Sequence, residues 1–496
     1  MTNSILLTTL NAKYIHSSLG LRYLYAQMEE LQEQTTISEF NISDRVADIA
    51  EQIILQKPRI VGFGVYIWNI DQITEVVSLL KAVLPETTII VGGPEVSYEY
   101  EQTQIYTLAD HIITGQADNS FKQTCLSILH GFPVEKVIHS NVPSPESLTL
   151  PYNLYNEEDI TQRVLYVEAS RGCPFKCEFC LSSLDKTAKA FDIDKFLLAM
   201  DDLYQRGARS FKFVDRTFNL NIQLSQQILN FFLSKNDDSL FLHFELIPDR
   251  LPEQLKELIL KFPAGNVQFE IGIQTFTPEV QQLISRKQDH QKTVDNLTWL
   301  CTQTDVHLHT DLIAGLPGET MQSYAKSFDL LIELGVQEIQ MGILKRLKGT
   351  PIIRHTNKYQ LIFSPQAPYN ILQNRDLSFI DLQDLNRFAR YWNLVGNSGR
   401  FKHTLKHLLK DNPFNEFMAF TRWLFNSTQQ THKIALPRLF KLVYQYLKDE
   451  PELINAMQQD FTKTGIKKTL QQVIGDPINS KTTNPNASQR QQRHQK

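Results

Sequence analysis

The first 130 residues alternate two kinds of segment, and few folds satisfy that alternation. Apolar runs that read as strands occupy 4–10 (SILLTTL), 37–42 (ISEFNI), 60–67 (IVGFGVYI), 88–96 (TIIVGGPEV) and 111–116 (HIITGQ). Stretches such as LGLRYLYAQMEELQEQ and NIDQITEVVSLLKAVL lie between them, with apolar residues three and four apart. Strands apolar along their whole length are buried on both faces, and amphipathic helices supply the cover. The pattern predicts an α/β domain with a doubly wound, Rossmann-like parallel sheet over 1–135.

A Pro- and Ser-rich stretch, NVPSPESLTLPY (141–152), marks a linker over 136–162. The alternation then resumes with six strand–helix units, whose strands read RVLYVEA, SFKFVD, LHFELI, VQFEIGIQ, VHLHTDLIAG and VQEIQMGI. Six parallel units over 163–351 suit a partial (βα)6 barrel, an open relative of the eight-stranded barrel, with reactive groups after the strands' C-terminal ends. From 352 to 478 the pattern becomes helical. Phe379, Leu382, Leu385, Phe388 and Trp392 form one apolar helix face that reads as core. The polar end, 479–496, is expected to be disordered.

Charge divides the chain. Residues 352–480 carry 17 Lys+Arg against 10 Asp+Glu, and the last 16 residues add four positive charges, although the whole chain is at −4. A basic C-terminal part is compatible with a polyanionic partner, but a solvated helical surface explains it as well, so nucleic acid is a disfavoured partner. No apolar run reaches the length of a membrane span, and the N-terminus lacks the features of a secretory signal. Five cysteines, three of them clustered, make no disulfide framework and suit a reducing, cytoplasmic setting.

Those three lie in SRGCPFKCEFC (170–180), as Cys173, Cys177 and Cys180, directly after the first strand of the second block. A structural zinc site is closed by four ligands, and a four-iron cluster normally takes four thiolates. Three thiolates on one short loop leave one iron free to bind something else. On spacing alone, a zinc site completed by Cys125, Cys301 or a histidine stays open.

The CxxxCxxC loop after a first barrel strand resembles the radical S-adenosylmethionine (radical SAM) superfamily. The likeness continues through FKFVDRTFNLN (211–221), FELIPDRL (244–251), FEIGIQTFTPEVQQLISRKQD (269–289) and HTDLIAGLPGE (309–319), which resemble strand ends of the subgroup containing the oxygen-independent coproporphyrinogen oxidases. The resemblance implies a [4Fe–4S] cluster on Cys173, Cys177 and Cys180, with SAM chelating the free iron. It also implies SAM contacts from Glu245 and Arg286 to the methionine part and from Gln274 and Asp311 to the ribose, with Asp215 in the second-strand segment near the SAM amino group. A guanidinium pairs a carboxylate, and Asp and Gln bond vicinal hydroxyls, so the residue types suit those roles. Read without the family, Arg286 is equally a surface ion pair and Gln274 or Asp311 a strand-end cap.

An α/β domain ahead of such a barrel is similar to the cobalamin-binding arrangement of the group containing the anaerobic protoporphyrin monoester cyclase. HSSLGLRYLYA, GFGVYIW, IVGGPEVS and ITGQAD carry the likeness. Gly62, Gly64, Gly92 and Gly93 at strand ends would let a ligand approach the backbone at the sheet's switch point, although such glycines also simply turn a chain. His16 is the one candidate for a cobalt ligand, but it lacks the Asp-x-His-x-x-Gly context, so cobalamin is expected without a protein imidazole on cobalt.

The implied activity is reductive cleavage of SAM to start methyl transfer, rearrangement or cyclisation on a small molecule or cofactor precursor, with electrons from a donor such as flavodoxin or ferredoxin. A radical SAM enzyme that no longer binds cobalamin is the alternative, and a non-catalytic iron–sulfur or zinc protein binding nucleic acid a remote one. His403 and His407, spaced as if one helical turn apart, read as part of a basic helix surface.

Overall fold

The structure, a computed structural model, describes residues 4–475, so the tail expected at 479–496 lies outside the described residues. The described residues divide into two compact units, 4–385 and 386–475.

The first unit begins with six strands, β1 (Ile5–Asn11), β2 (Thr35–Asn41), β3 (Ile60–Gly64), β4 (Thr88–Gly92), β5 (His111–Thr114) and β6 (Val137–His139). All pair in parallel, in the order β2-β1-β3-β4-β5-β6. The order reverses between β1 and β3, which is the switch point of a doubly wound sheet. Alternate residues of each strand enter different cores. Leu6, Val61, Phe63, Ile89 and Val91 pack with the helices Val46–Gln56 and Ile70–Val83. Ile5, Leu7, Ile60 and Ile90 face Leu21, Phe121 and Cys125 on the other side. Burial on both faces explains why these strands are apolar throughout.

The expected linker is more ordered than its Pro and Ser content implies. It opens with β6 and ends in a helix, Glu157–Gln162, whose capping box pairs Asn156 with Asp159. Asp159 is itself fixed by Arg22 of the first domain, Nη2 to Oδ2 at 2.7 Å, while Arg22 Nη1 holds Glu39 at 2.6 Å.

A second sheet follows, of β7 (Leu165–Val167), β8 (Ser210–Phe213), β9 (Phe241–Glu245), β10 (Val267–Gln274), β11 (His307–Ala314) and β12 (Glu338–Ile343). These too are parallel and lie in sequential order, with β7 and β12 at the edges, as an open (βα)6 barrel requires. Along β10 and β11 buried and half-buried residues alternate. Phe269, Ile271, Leu308 and Leu312 are buried, and the polar Glu270, Gln274, His309 and Asp311 occupy the other face.

The first domain is tied to both ends of this sheet. On the β7 side His16 bridges to Val164, and its Nδ1 lies 2.5 Å from Tyr166 Oη. On the β12 side the buried Lys348 bonds Glu95 at 2.7 Å, Tyr369 donates to the same carboxylate at 2.7 Å, and Arg346 pairs with Glu99 at 2.5 Å. The first unit continues to residue 385 and includes a small hairpin, Ile362–Phe363 with Ile371–Gln373.

The second unit is helical, as expected, with Pro413–Thr428, Leu436–Leu447 and Leu453–Phe461 as its longer complete helices. Phe388 and Trp392 pack on Phe417, and Phe401 on Phe440. The buried Asp460 accepts from the backbone of His403 and Thr404 and from the Thr404 hydroxyl. This bonding ends the turn from which the helix Leu405–Leu409 starts, so His403 precedes that helix and does not share a face of it with His407. Among the described residues no helix is long and apolar enough to cross a membrane.

Candidate active site

Cys173, Cys177 and Cys180 line one cavity of about 240 Å³ above the C-terminal ends of the second sheet. Burial raises the Cys173 and Cys177 thiols above their ordinary range. Cys125 packs in the first domain's core, where burial pushes its thiol up to about 12, and Cys301 lies on the helix His290–Gln303, pushed up by burial to about 11. Neither joins the three, so the loop offers three thiolates, which is the donor set an iron–sulfur cluster with one open iron would use.

The loop is fixed by the residue between two of its cysteines. Glu178 is buried, and its carboxylate accepts from Ser285 at 2.5 Å, from His355 Nε2 at 2.9 Å and from Arg354. Its backbone N–H donates to the Ile284 carbonyl, and its carbonyl accepts from Ile352. Sequence reading passed over this glutamate. A charged residue inside an otherwise apolar CEFC run was the available signal.

Glu245, Gln274, Arg286 and Asp311 line the same cavity. Gln274 ends β10 at a bulge, with φ +68 in a region that only a few per cent of non-glycine residues occupy. Gly272 makes room for it, since a Cβ there would meet Gln274 Nε2. Gln274 Oε1 is buried without a hydrogen-bond partner, and Asp311 Oδ1 has only His309 Nε2, 3.4 Å away, beside it. Buried orphan acceptors on a cavity wall are the sites that ribose hydroxyls would satisfy. Arg286 is no surface pair: Nη1 lies 3.5 Å from Cys177 Sγ, Nε donates to Gln288 at 2.9 Å, and Nη2 donates to the Gly272 carbonyl.

Two further charged groups share the wall. Arg216 bonds Glu245 at 2.8 Å; burial nevertheless raises that carboxyl to about 7. For Glu270, burial alone would raise the pKa, but the His243 hydrogen bond and the Lys212 charge hold it down at about 2. Asp215 does not line this cavity with its side chain. It is buried outside the lining, where Oδ2 accepts from the Ala169 N–H at 2.9 Å and Oδ1 from Ser170 Oγ at 2.6 Å. It thus shapes the backbone entering the cysteine loop.

A second cavity, of about 440 Å³, opens at the C-terminal ends of β3 and β4 and includes all four expected glycines, Gly62, Gly64, Gly92 and Gly93. Two of them answer to the protein's own packing: a Cβ on Gly62 would strike the Phe121 ring, and one on Gly93 the Val65 carbonyl. Gly64 and Gly92 meet nothing closer than 3.4 Å, so their lack of a side chain leaves the cavity wall open for a ligand. No histidine is among the described lining residues, and His16, engaged with Tyr166, is not one of them. The donor set thus suits a cobalamin without a protein imidazole on cobalt.

Family comparison matches residues 5–124 to the B12 binding domain, residues 167–331 to the radical SAM superfamily, and residues 357–496 to a family described as a protein of unknown function (DUF4080). The chain is a radical SAM enzyme with a B12-binding domain. Those domains imply a [4Fe–4S] cluster, SAM and cobalamin. Among solved structures, the chain is similar to the cobalamin-dependent S-adenosylmethionine radical enzyme OxsB at TM-score 0.63 and 12% identity, over 95% of this chain and 83% of that one. The radical SAM methyltransferase TsrM from Kitasatospora setae follows at TM-score 0.58 and 15% identity, over 74% and 76% of the two chains. Curated relatives include the uncharacterized methyltransferase PH0819 of Pyrococcus horikoshii, 22% identical over 67% of this chain and 76% of that protein. Another is the cobalamin-dependent radical SAM methyltransferase TokK of Streptomyces tokunonensis, 21% identical over 82% of this chain but only 64% of its own length.

Proposed function

We propose that this chain is a cobalamin-dependent radical SAM methyltransferase acting on a small molecule or cofactor precursor. The observation that carries the reading is the adjacency of the two cavities: Glu168 and Arg171 line the one in the B12-binding domain, and Cys173 lines the one above the barrel. When bound, the reduced cluster supplies the electron that splits the SAM sulfonium, and cobalamin supplies a carrier for a methyl group. The chain's own residues bind and orient. Cys173, Cys177 and Cys180 hold the cluster, Arg286 and Glu245 with Arg216 meet the methionine end of SAM, and Gln274 and Asp311 take the ribose hydroxyls. Gly64 and Gly92 admit the cobalamin. The names of PH0819 and TokK support methyl transfer over rearrangement. Lys176, Arg250 and Lys287 are exposed around Phe175 beside the cysteine loop, which supports an acidic one-electron donor of the flavodoxin or ferredoxin type.

The test is anaerobic reconstitution with iron, sulfide and hydroxocobalamin, followed by dithionite and SAM. S-adenosylhomocysteine whose formation depends on added cobalamin is the expected product beside 5′-deoxyadenosine. Deoxyadenosine alone, with no response to cobalamin, returns the reading to hydrogen abstraction without methyl transfer.

A further inference from the structure

We propose that Arg171 couples the two cofactor sites, so that filling one changes the affinity of the other. The proposal rests on the reading that SAM and cobalamin both bind this chain.

Arg171 stands two residues before Cys173, yet its guanidinium is committed to the B12-binding domain's cavity. Nη1 donates to Gln116 Oε1 at 3.3 Å and to Asp118 Oδ2 at 3.2 Å, while Nε and Nη2 donate to Glu168 Oε1 at 3.0 and 2.6 Å. The guanidinium carbon lies 4.6 Å from the centroid of the Tyr23 ring. Gln116, Asp118, Glu168 and Tyr23 all line that cavity. With only 17% of its side chain exposed, Arg171 makes these bonds in a setting where water screens them weakly.

A second link runs in parallel. Gln116 Nε2 donates to Asp185 Oδ2 at 3.4 Å, and the Asp185 carbonyl accepts from the Cys173 N–H at 3.2 Å. The intervening backbone has little room to absorb a displacement. Gly172 has φ +93, and a Cβ there would collide with the Thr187 carbonyl, while Thr187 is itself held by Asp185 through its N–H and hydroxyl. A ligand that shifts Tyr23, Gln116 or Asp118 therefore moves Cys173, and a ligand that fixes the cysteine loop fixes that cavity wall. Such coupling is reciprocal by thermodynamic necessity.

The experiment uses the full chain with its cluster reconstituted. With the cluster kept oxidised throughout, hydroxocobalamin is titrated by its absorbance with and without saturating SAM, and SAM by equilibrium dialysis with and without hydroxocobalamin. In the unaltered chain each ligand is expected to change the other's dissociation constant by the same factor, about fivefold or more. In Arg171→Met that factor falls to near one while iron content and circular dichroism are kept, and Arg171→Lys, which restores charge without the planar fork, recovers only part of it. Should Arg171→Met fail to fold or to load iron, Gln116→Leu breaks the same path from outside the cysteine loop and is expected to reduce the factor too. Independent binding of the two ligands in the unaltered chain, or coupling that persists in these variants, overturns the proposal. A chain that binds no cobalamin at all overturns the proposed function as well, which separates the two failures.

Discussion

His355 Nε2 lies 2.9 Å from Glu178 Oε2, joining the residue between two cluster cysteines to a segment 177 positions further along the chain. The contact belongs to a buried carboxylate that Arg354 and Ser285 also engage. Replacing Glu178 with Ala leaves those donors without their acceptor, at a cost of about 1–3 kcal/mol. Cluster release to an iron chelator is expected to speed up several-fold in Glu178→Ala, with the three cysteines still present. Unchanged release would mean that the loop holds its shape without this anchor.

Single replacement of Cys173, Cys177 or Cys180 by Ala is expected to abolish SAM cleavage and most bound iron. Cys125→Ala and Cys301→Ala leave iron unchanged, since Cys125 sits in a separate core and Cys301 on a helix away from the loop. Iron analysis of the five variants decides the ligand set.

Gln274→Ala removes a buried orphan acceptor on the cavity wall, and Asp311→Ala one that has only His309 beside it. SAM affinity is expected to fall roughly tenfold in each, the equivalent of about 1.4 kcal/mol, while the cluster's absorbance stays. Equal SAM affinity would place the ribose elsewhere.

Asp215 supplies a pH dependence. Burial raises its pKa to about 7, above its unfolded value of 3.8. The folded chain therefore binds the proton more tightly, so this stabilisation is complete below about pH 4 and is lost as pH rises towards and through 7. Its slope approaches about 1.4 kcal/mol per pH unit in that window. Thermal melts at pH 5, 6 and 7 should show a steeper fall for the unaltered chain than for Asp215→Asn. Parallel curves would show that Asp215 is ionised throughout.

Lys348→Met leaves Glu95 buried without its cation, which costs about 3–5 kcal/mol when a buried pair loses one partner. Limited proteolysis is expected to release the first domain from the barrel sooner than in the unaltered chain. The doubly substituted Lys348→Met, Glu95→Gln chain should recover part of that resistance.

The alternation of apolar strands and amphipathic helices was enough to place five of the first sheet's six strands and all six of the second, because burial on both faces leaves a continuous apolar run. β6 escaped because it is short and half-buried, and its VIH gives no such run. Gln274 and Asp311 were legible through a motif, but Gln274's left-handed backbone was not, since it arises from the bulge between β10 and β11. The burial of the Asp215 side chain was not legible either. Asp215 stands two residues after β8, and its carboxylate accepts from Ala169 and Ser170, outside the cavity lining. Glu178 and Arg216 carry no local signature because their partners are distant in sequence, and Arg171 pairs locally only with Glu168, while its links to Gln116 and Asp118 span more than 50 residues.

The attachment of the first domain at both edges of the barrel bears on how such chains can be rebuilt. A transplanted B12-binding domain would have to bring acceptors for Lys348 and Arg346 at one seam, and for Arg171 at the other, or strand the first two on an otherwise native catalytic half and leave Arg171 with Glu168 alone. Chimeras between relatives are therefore best made by exchanging residues 1–162 together with 345–370, at three junctions, in pairs whose first domains both carry an acceptor for Arg171.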